Sequence, residues 1–374
     1  MSDRRESVDF GNAFAGRRVL VTGHTGFKGG WLSLWLQRLG AHVTGVALPP
    51  PPGPSIFEST GVAQSVDHRI GDIRSPDSFA SAVKGVEPEL LIHMAAQSLV
   101  RPSYEEPVDT FLTNVTGTAV VLDAARRMPS LKAIVVVTSD KCYENHEWPW
   151  PYRETDALGG ADPYSASKGC TEIVANSFRR SYFNAPGAPL LATARAGNVF
   201  GGGDWAVDRL VPDIVRAIMA GTPVDIRNPG SVRPWQHVLE PLSGYLTLAA
   251  RLLGDNGASF ADAWNFGPEP QAFLNVETLA RTLCDAWGAG APPLRLGVGG
   301  GPHEAGMLTL DSSKAHAALG WRPRLSSDEA IRLTAQWYRA HANGDTNLRA
   351  LSLAQIDAYS GGAPLAEPEL KICA

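Results

Sequence analysis

The chain has 374 residues, 44% of them hydrophobic, enough to bury one large core or two interlocked ones. Its formal net charge of −5 is spread without a basic block, which argues against nucleic acid and anionic membrane as partners, and no apolar run approaches the roughly 20 residues of a spanning helix. The opening MSDRRESVDFGNAFAGRR lacks the apolar stretch of a signal peptide, and Cys142, Cys170, Cys284 and Cys373 stand far apart in no metal-ligand spacing, so a cytoplasmic protein without disulfide or zinc is expected.

Through the first half, apolar runs alternate with amphipathic stretches, the pattern of a parallel α/β sheet. In chain order the spacing predicts strands at Arg17–Gly23, His42–Leu48, Asp67–Asp72, Leu90–Ala96, Lys132–Ser139 and Leu190–Asn198. Helices are expected around Trp31–Leu39, Pro76–Val83, Val108–Arg127 and Tyr164–Tyr182. The proline run Pro49–Pro54 cannot donate to a ladder and marks a loop after the second strand. Beyond Asn198 the alternation weakens and Gly, Pro and Trp increase. The division expected is a nucleotide-binding unit at 12–197, with a returning segment near 234–264, and a smaller substrate-binding unit at 198–233 and 265–374.

The first strand runs into VLVTGHTGFKGGWLSLWL. Here Gly23, Gly26 and Gly29, with Thr25, Phe27 and Lys28 between them, follow a strand and open a helix. Glycine lets the backbone turn tightly and approach a pyrophosphate, and the helix N-terminus offers free N–H groups and the positive end of its dipole. The spacing is G-x-x-G-x-x-G rather than the G-x-G-x-x-G of the Rossmann fingerprint. The acidic residue expected about 20 positions on is replaced by Ala47-Leu48-Pro49, so this criterion does not separate NAD from NADP. Lys28 either favours a phosphate or is solvated in the first helical turn. Asp72, followed by Ile73, is either an acceptor for an adenine amino group or a turn aspartate.

Two further stretches carry chemistry. VVVTSDKCYEN begins as a buried strand and ends with Asp140 and Lys141 side by side, after Thr138 and Ser139. ADPYSASKGCTEIV places Tyr164 and Lys168 at i and i+4, on one helical face. A tyrosine is a poor base near its ordinary pKa of about 10. A neighbouring ammonium favours the phenolate, which can then take a proton from an alcohol.

Together, TGHTGFKG, HMAAQS, TSDK, YSASK and LDSSKAHAALGWRP resemble the extended short-chain dehydrogenase/reductase superfamily of nucleotide-sugar enzymes, over Arg17 to Pro323. The finer motifs GHTGFKGGWLSLWL, TSDKCYEN, GGADPYSASKGC, ARAGNVFGGGDW and RPWQHVLEPLSGY resemble its CDP-glucose 4,6-dehydratase branch. The resemblance implies a Rossmann-type, doubly wound parallel α/β sheet with a smaller C-terminal substrate domain. It implies tightly held NAD, a nucleotide-sugar substrate (CDP-glucose), and a homodimer formed through the helices Val108–Arg127 and Tyr164–Tyr182.

In that scheme Tyr164, with Lys168 and Ser139, removes the proton of the sugar 4-hydroxyl as C4 is oxidised. Asp140 is the acid at O6 and Lys141 the base at C5, where the dTDP-glucose dehydratases carry Asp-Glu. A lysine base must be neutral when it acts, and a protonated Asp140 beside it is self-consistent. The cofactor contacts implied are Gly23, Thr25, Gly26, Phe27, Lys28, Gly29, Asp72, Ile73, Ala95, Ala96, Gln97, Thr138, Tyr164 and Lys168. The substrate contacts implied are Gln97, Asn198, Arg209, Arg233 and His303. Arg101 is a phosphate contact or a solvated loop residue, and Asn114 orders the site backbone or faces solvent. A 4-epimerase of the same superfamily would not need the pair Asp140-Lys141, and a nucleotide-sensing protein without catalysis would not need Ser139, Tyr164 and Lys168.

Overall fold

In the computed structural model of the chain, which describes residues 7–288, 290–297 and 308–361, seven parallel strands form one sheet. They are β1 (Arg18–Thr22), β2 (His42–Ala47), β3 (Asp67–Ile70), β4 (Leu90–His93), β5 (Ala133–Val137), β6 (Leu190–Arg195) and β7 (Ala263–Asn265), in the order β7-β6-β5-β4-β1-β2-β3. β4 and β5 are buried along their whole length, so they read as unbroken apolar runs rather than as an alternation. The strand order reverses between β1 and β4, which opens a crevice beyond their carboxyl ends.

The expected strands all exist, but several stop short of their expected ends: Leu90–Ala96 leaves the ladder after His93, Lys132–Ser139 after Val137, and Leu190–Asn198 after Arg195. The overrun residues lie beyond the carboxyl ends of these strands, at the rim of the crevice. In the other direction, helix α1 (Phe27–Arg38) begins a turn before the expected Trp31. Gly29 and Gly30 are helical despite their poor intrinsic propensity because the helix must start this close to β1. The expected helix Val108–Arg127 spans Pro107–Phe111 and Gly117–Ala125, joined by a π-helical turn at Leu112–Thr116. The Tyr-x-x-x-Lys helix, α2, runs from Pro163 to Ser181, with the Asp162 carboxylate accepting from Ser165 N at 2.9 Å as its N-cap.

After β6 the chain makes three short ladders: Val199–Phe200 with Gln236–His237, Val232–Arg233 with Leu274–Asn275, and Val224–Ile226 with Leu294–Leu296. Helix α3 (Leu239–Leu252) lies between these and the sheet, against β5 and β6. The helix α4 (Leu348–Gly361), within the stretch assigned from sequence to the substrate unit, packs on α1, with Trp35 edge-on to Tyr359 at 5.6 Å and Arg38 paired to Asp357 at 2.7 Å.

Glu240 fastens this corner from inside. Its carboxylate accepts from the backbone N–H of Arg324 (2.9 Å) and Leu325 (2.6 Å) and from the Tyr359 hydroxyl (2.7 Å), while only 2% exposed. Burial pushes its pKa up from 4.5 to about 6 against those hydrogen bonds. A group raised in the folded state contributes stability that is present below its unfolded pKa and lost as pH rises through the folded one. The wild-type protein is therefore expected to lose about 2 kcal/mol relative to Glu240→Gln between pH 4.5 and about 6. Denaturant titrations of both proteins across that window check this; parallel curves would exclude it.

Candidate active site

The glycine loop shows which of its glycines the fold needs. Gly23 has φ of +79°, and a Cβ there would stand 2.7 Å from Ala95 N, because the loop after β1 and the loop after β4 touch backbone to backbone. At Gly29 a Cβ would lie 2.1 Å from the Gly23 carbonyl oxygen. Gly26 differs: its φ is −80°, and an added Cβ would meet nothing nearer than 3.4 Å. It caps α1 without a side-chain hydrogen bond, so the first N–H groups of that helix face the crevice without a capping side chain. A glycine that the polypeptide itself does not require, at a helix N-terminus on the switch point of the sheet, fits the close approach of a phosphate.

Around this loop the expected residues fall into place unevenly. Thr25 is buried and donates to Leu48 O at 3.2 Å. Phe27 and Lys28 are half-buried in the first turn of α1. Lys28 is not a solvated helix lysine. Burial pulls its ammonium down to about 7, aided by the charges of Arg209 and Lys168 and opposed by Asp140 and Asp204, which sets its head among the groups of the crevice. Asp72 accepts from the backbone and guanidinium of Arg74, its closest contact at 2.7 Å, and is thereby held below the usual carboxylate range, although part-burial opposes this. Ile73 is buried against Gly117.

Beyond β4, Ala95 and Ala96 line the opening as half-buried residues. Gln97, expected at sugar or phosphate, makes local hydrogen bonds: its Nε2 donates to Leu99 O (2.9 Å) and Thr110 Oγ1 (3.2 Å), and its Oε1 accepts from Leu99 N. Asn114 orders the site backbone rather than facing solvent. Its Oδ1 accepts from Gln97 N (2.9 Å) and its Nδ2 donates to Gln97 O (2.9 Å) and Ser167 Oγ (2.8 Å). The π turn that carries it aims this amide inward.

Tyr164 and Lys168 are both buried, on the first turns of α2. The expected depression of the phenol by its lysine is not what dominates in the polypeptide. Burial raises Tyr164 to about 12, with Asp140 adding to it, while a hydrogen bond with Ser139 and the charge of Arg209 act the other way. The Lys168 ammonium lies 5.9 Å from the Tyr164 ring centroid and is itself pulled down to about 8, chiefly by burial. Both shifts share one cause: removal from water disfavours the charged form of either group.

Asp140 and Lys141 belong to a single 3₁₀ turn, Asp140–Cys142. Ser139 caps it, its Oγ accepting from Lys141 N (3.3 Å) and donating to Asp140 Oδ1 (2.7 Å). Asp140 is 3% exposed, and a Cβ at Gly197 would stand 2.1 Å from its Oδ2. So Gly197, in the turn after β6, clears the space for that carboxylate. Lys141 is half-buried.

On the opposite wall, Arg209 donates to Asp204 Oδ2 (2.8 Å) and Ser98 Oγ (3.1 Å). Arg101 is paired with Asp208 at 2.8 Å. Asn198, with φ of +21°, sits where the chain leaves β6, and Arg233 lies in the short ladder with Leu274–Asn275. His303 lies outside the described residues. Thr138 is turned away from the crevice, its hydroxyl donating to Glu172.

Glu172 introduces a set of residues that sequence reading did not single out: Glu172, Arg195, Tyr143 and Asn265. A signal for them exists. Glu172 repeats the Lys168 face four residues on, and Arg195 is a lone charge in the apolar run LLATAR.

A profile of the NAD dependent epimerase/dehydratase family matches residues 19–260. The chain is 49% identical over 341 residues to the CDP-glucose 4,6-dehydratase of Salmonella typhimurium, covering 90% of this chain and 94% of that one. It is 30% identical over 332 residues to the dTDP-glucose 4,6-dehydratase of Streptomyces antibioticus, covering 86% and 92%. Among solved structures, a dTDP-glucose 4,6-dehydratase from Streptomyces venezuelae with NAD bound aligns with a TM-score of 0.73 at 25% identity, covering 88% and 99%. A UDP-glucose 4-epimerase from Stenotrophomonas maltophila with bound NAD gives 0.75 at 23% identity, over 88% and 99%, a likeness of fold.

The two helix-opening glycines are expected to separate on substitution. Gly29→Ala forces backbone apart and is expected to cost about 1–3 kcal/mol in denaturant unfolding, whereas Gly26→Ala stays within about 0.5 kcal/mol of wild type and instead weakens dinucleotide binding, read by calorimetry. Equal destabilisation by both would contradict the assignment.

Proposed function

We propose, from the premise that the chain belongs to the NAD dependent epimerase/dehydratase family, that it is an NAD-using hydro-lyase that converts CDP-glucose to CDP-4-keto-6-deoxyglucose and water. The observation that carries this reading is the turn Asp140–Cys142, which sets a buried carboxyl beside Ser139 and Tyr164 with the amine-bearing Lys141 next to it in the same turn. An epimerase has no use for an acid and a base at that place.

The glycine loop, the open N-terminus of α1, Ala95 and Ala96 are the residues that would hold the cofactor. When bound, NAD supplies a hydride acceptor for C4 and a donor for C6, and it ends each turnover as it began, so it need not exchange between turnovers. The remaining steps fall to the chain. Tyr164 accepts the proton of the 4-hydroxyl through its hydrogen bond to Ser139, and Lys168 beneath it favours the phenolate. Once C4 is a ketone, the C5 hydrogen is acidic. Lys141, as the neutral amine, then removes it while Asp140, as the acid, protonates the departing 6-hydroxyl, and once C6 has been reduced the Lys141 ammonium, its protons exchanged with solvent, returns one to C5. Lys28 and Arg209 contribute positive charge for the phosphates of the bound nucleotides, and a guanidinium fork suits a diphosphate oxygen pair. Arg233, Asn198 and His303 complete the substrate side of this reading.

Incubation with CDP-glucose in deuterated water, followed by mass spectrometry and NMR of the sugar, is expected to show loss of water and one deuterium at C5. Asp140→Asn is expected to slow water loss by about 10²–10⁴-fold. Recovery of unlabelled CDP-glucose, or of its 4-epimer, would exclude the reading.

The same reading includes a homodimer. Val108 is 70% exposed and Ile173 58%, and Leu112 and Tyr182 are exposed as well, within the two stretches expected to meet a second copy. Apolar side chains gathered on two helices are the usual mark of an interface. Ile173→Asp combined with Val108→Glu is expected to turn a dimer into a monomer in sedimentation velocity. A wild-type monomer would exclude the assignment.

A further inference from the structure

The groups for oxidation and the groups for dehydration sit on separate pieces of chain. Tyr164 and Lys168 are on the nineteen-residue helix α2, while Asp140 and Lys141 are on a turn of three residues. A 3₁₀ turn of that length has weak hydrogen-bond geometry and does not fix its own direction. Something else must hold it against α2.

We propose that Arg195 is the positioning residue that locks these two pieces together, so that both sets of groups keep one spacing around a single sugar. The inference rests on the 4,6-dehydration reading. Arg195 ends β6 and is 3% exposed. Its Nη2 donates to Glu172 Oε2 at 2.8 Å, one turn beyond Lys168 on α2. Its Nη1 donates to the Tyr143 hydroxyl at 2.6 Å, and Tyr143 is the residue that closes the Asp140–Cys142 turn. One planar guanidinium thus grips the redox helix with one nitrogen and the dehydration turn with the other.

Each end is braced in turn. Glu172 also accepts from Thr138 on the β5 side and from Thr193 Oγ1 on β6 at 2.8 Å. The Tyr143 hydroxyl donates onward to Asn265 Oδ1 at 2.8 Å, and the Asn265 amide donates to the backbone oxygens of Tyr152 (2.9 Å) and Asp311 (3.1 Å). The Tyr143 ring stacks on Tyr152, centroids 5.2 Å apart, and Tyr152 stacks on Trp148 at the same spacing. The charges support the geometry. Burial alone would raise Glu172, yet the charge and hydrogen bonds of Arg195, with those of Thr138 and Thr193, leave it below its ordinary value. A lysine could carry the charge, but it lacks the two-nitrogen fork that spans both partners.

The test uses Tyr143→Phe, which removes only the hydroxyl that Arg195 grips and leaves the ring in its stack, with Arg195→Lys as the second variant. Stopped-flow with CDP-glucose reads two steps: the near-ultraviolet absorbance of reduced nicotinamide for oxidation, and deuterium uptake at C5 for dehydration. Tyr143→Phe is expected to oxidise at the wild-type rate and to slow dehydration by about tenfold to a hundredfold, so that reduced cofactor accumulates. Amide exchange of residues 139–143, measured without any ligand, is expected to rise. Arg195→Lys, if folded, is expected to do the same.

Equal slowing of both steps, or of neither, or unchanged amide exchange at 139–143, overturns the proposal. A wild-type protein that loses no water from CDP-glucose overturns the dehydratase reading instead, before any variant is compared.

Discussion

A guanidinium and a carboxylate, each almost wholly removed from water, stand at the point where α2, β5, β6 and the Asp140–Cys142 turn meet. Burying either charge alone would cost several kcal/mol. Together, the charge of one and the donors gathered around the other offset that penalty. The consequence is directional. Glu172 and Arg195 can be this deep only if Thr138, Thr193 and Tyr143 are all within reach. The pair therefore dictates where the helix bearing Tyr164 and Lys168 lies relative to the strand ends. A sheet closed with apolar side chains alone would leave that register to shape.

The crevice itself follows from a second constraint, the contact of two loops backbone to backbone. Gly23 lies against Ala95 N, and Gly29 lies against Gly23 O, with no room for a Cβ at either place. This closeness brings the N-terminus of α1 next to the ends of β1 and β4 and leaves Gly26 free to admit a ligand. It also draws Lys28 inward. Its ammonium, Lys168 and Arg209 then share a small volume with Asp140 and Asp204, and desolvation becomes the main influence on Lys28, Tyr164 and Lys168 alike. A site built this way keeps the phenol protonated and brings both ammonium groups close to releasing their protons near neutral pH. That suits a proton relay better than a permanent ion pair.

Much of this was legible in the residues. The alternation of apolar runs gives β1 to β6 and their parallel arrangement, because a strand covered on both faces has no polar side to show. The glycine triplet after β1, the Tyr-x-x-x-Lys spacing and Asp140-Lys141 after a buried strand mark the crevice, since each puts chemistry where a core element ends. Helix and strand boundaries were less legible. Propensity speaks against a helix starting at Phe27 with glycines at 29 and 30, and packing overrides it. Gln97 and Asn114 show the limit for polar residues. Both are amides close to the same loop, and only the folded chain shows that one bonds to its own neighbours while the other spans Gln97 and Ser167.

The sequence by itself determined the order of the first six strands' elements, the phosphate-suited loop and the placing of Tyr164 and Lys168 on one helical face. Those depend on local spacing, and a spacing of three or four residues fixes which side chains share a helical face. Only the tertiary structure decided what lies opposite them. Arg195 and Glu172 are 23 residues apart, Tyr143 and Asn265 are 122 apart, and Gly197 makes space for Asp140 from the end of the neighbouring strand. No periodicity joins such positions. Strand pairing brings them together, and the desolvation that sets the charge of Lys28, Tyr164 and Lys168 exists only once the core has closed over them.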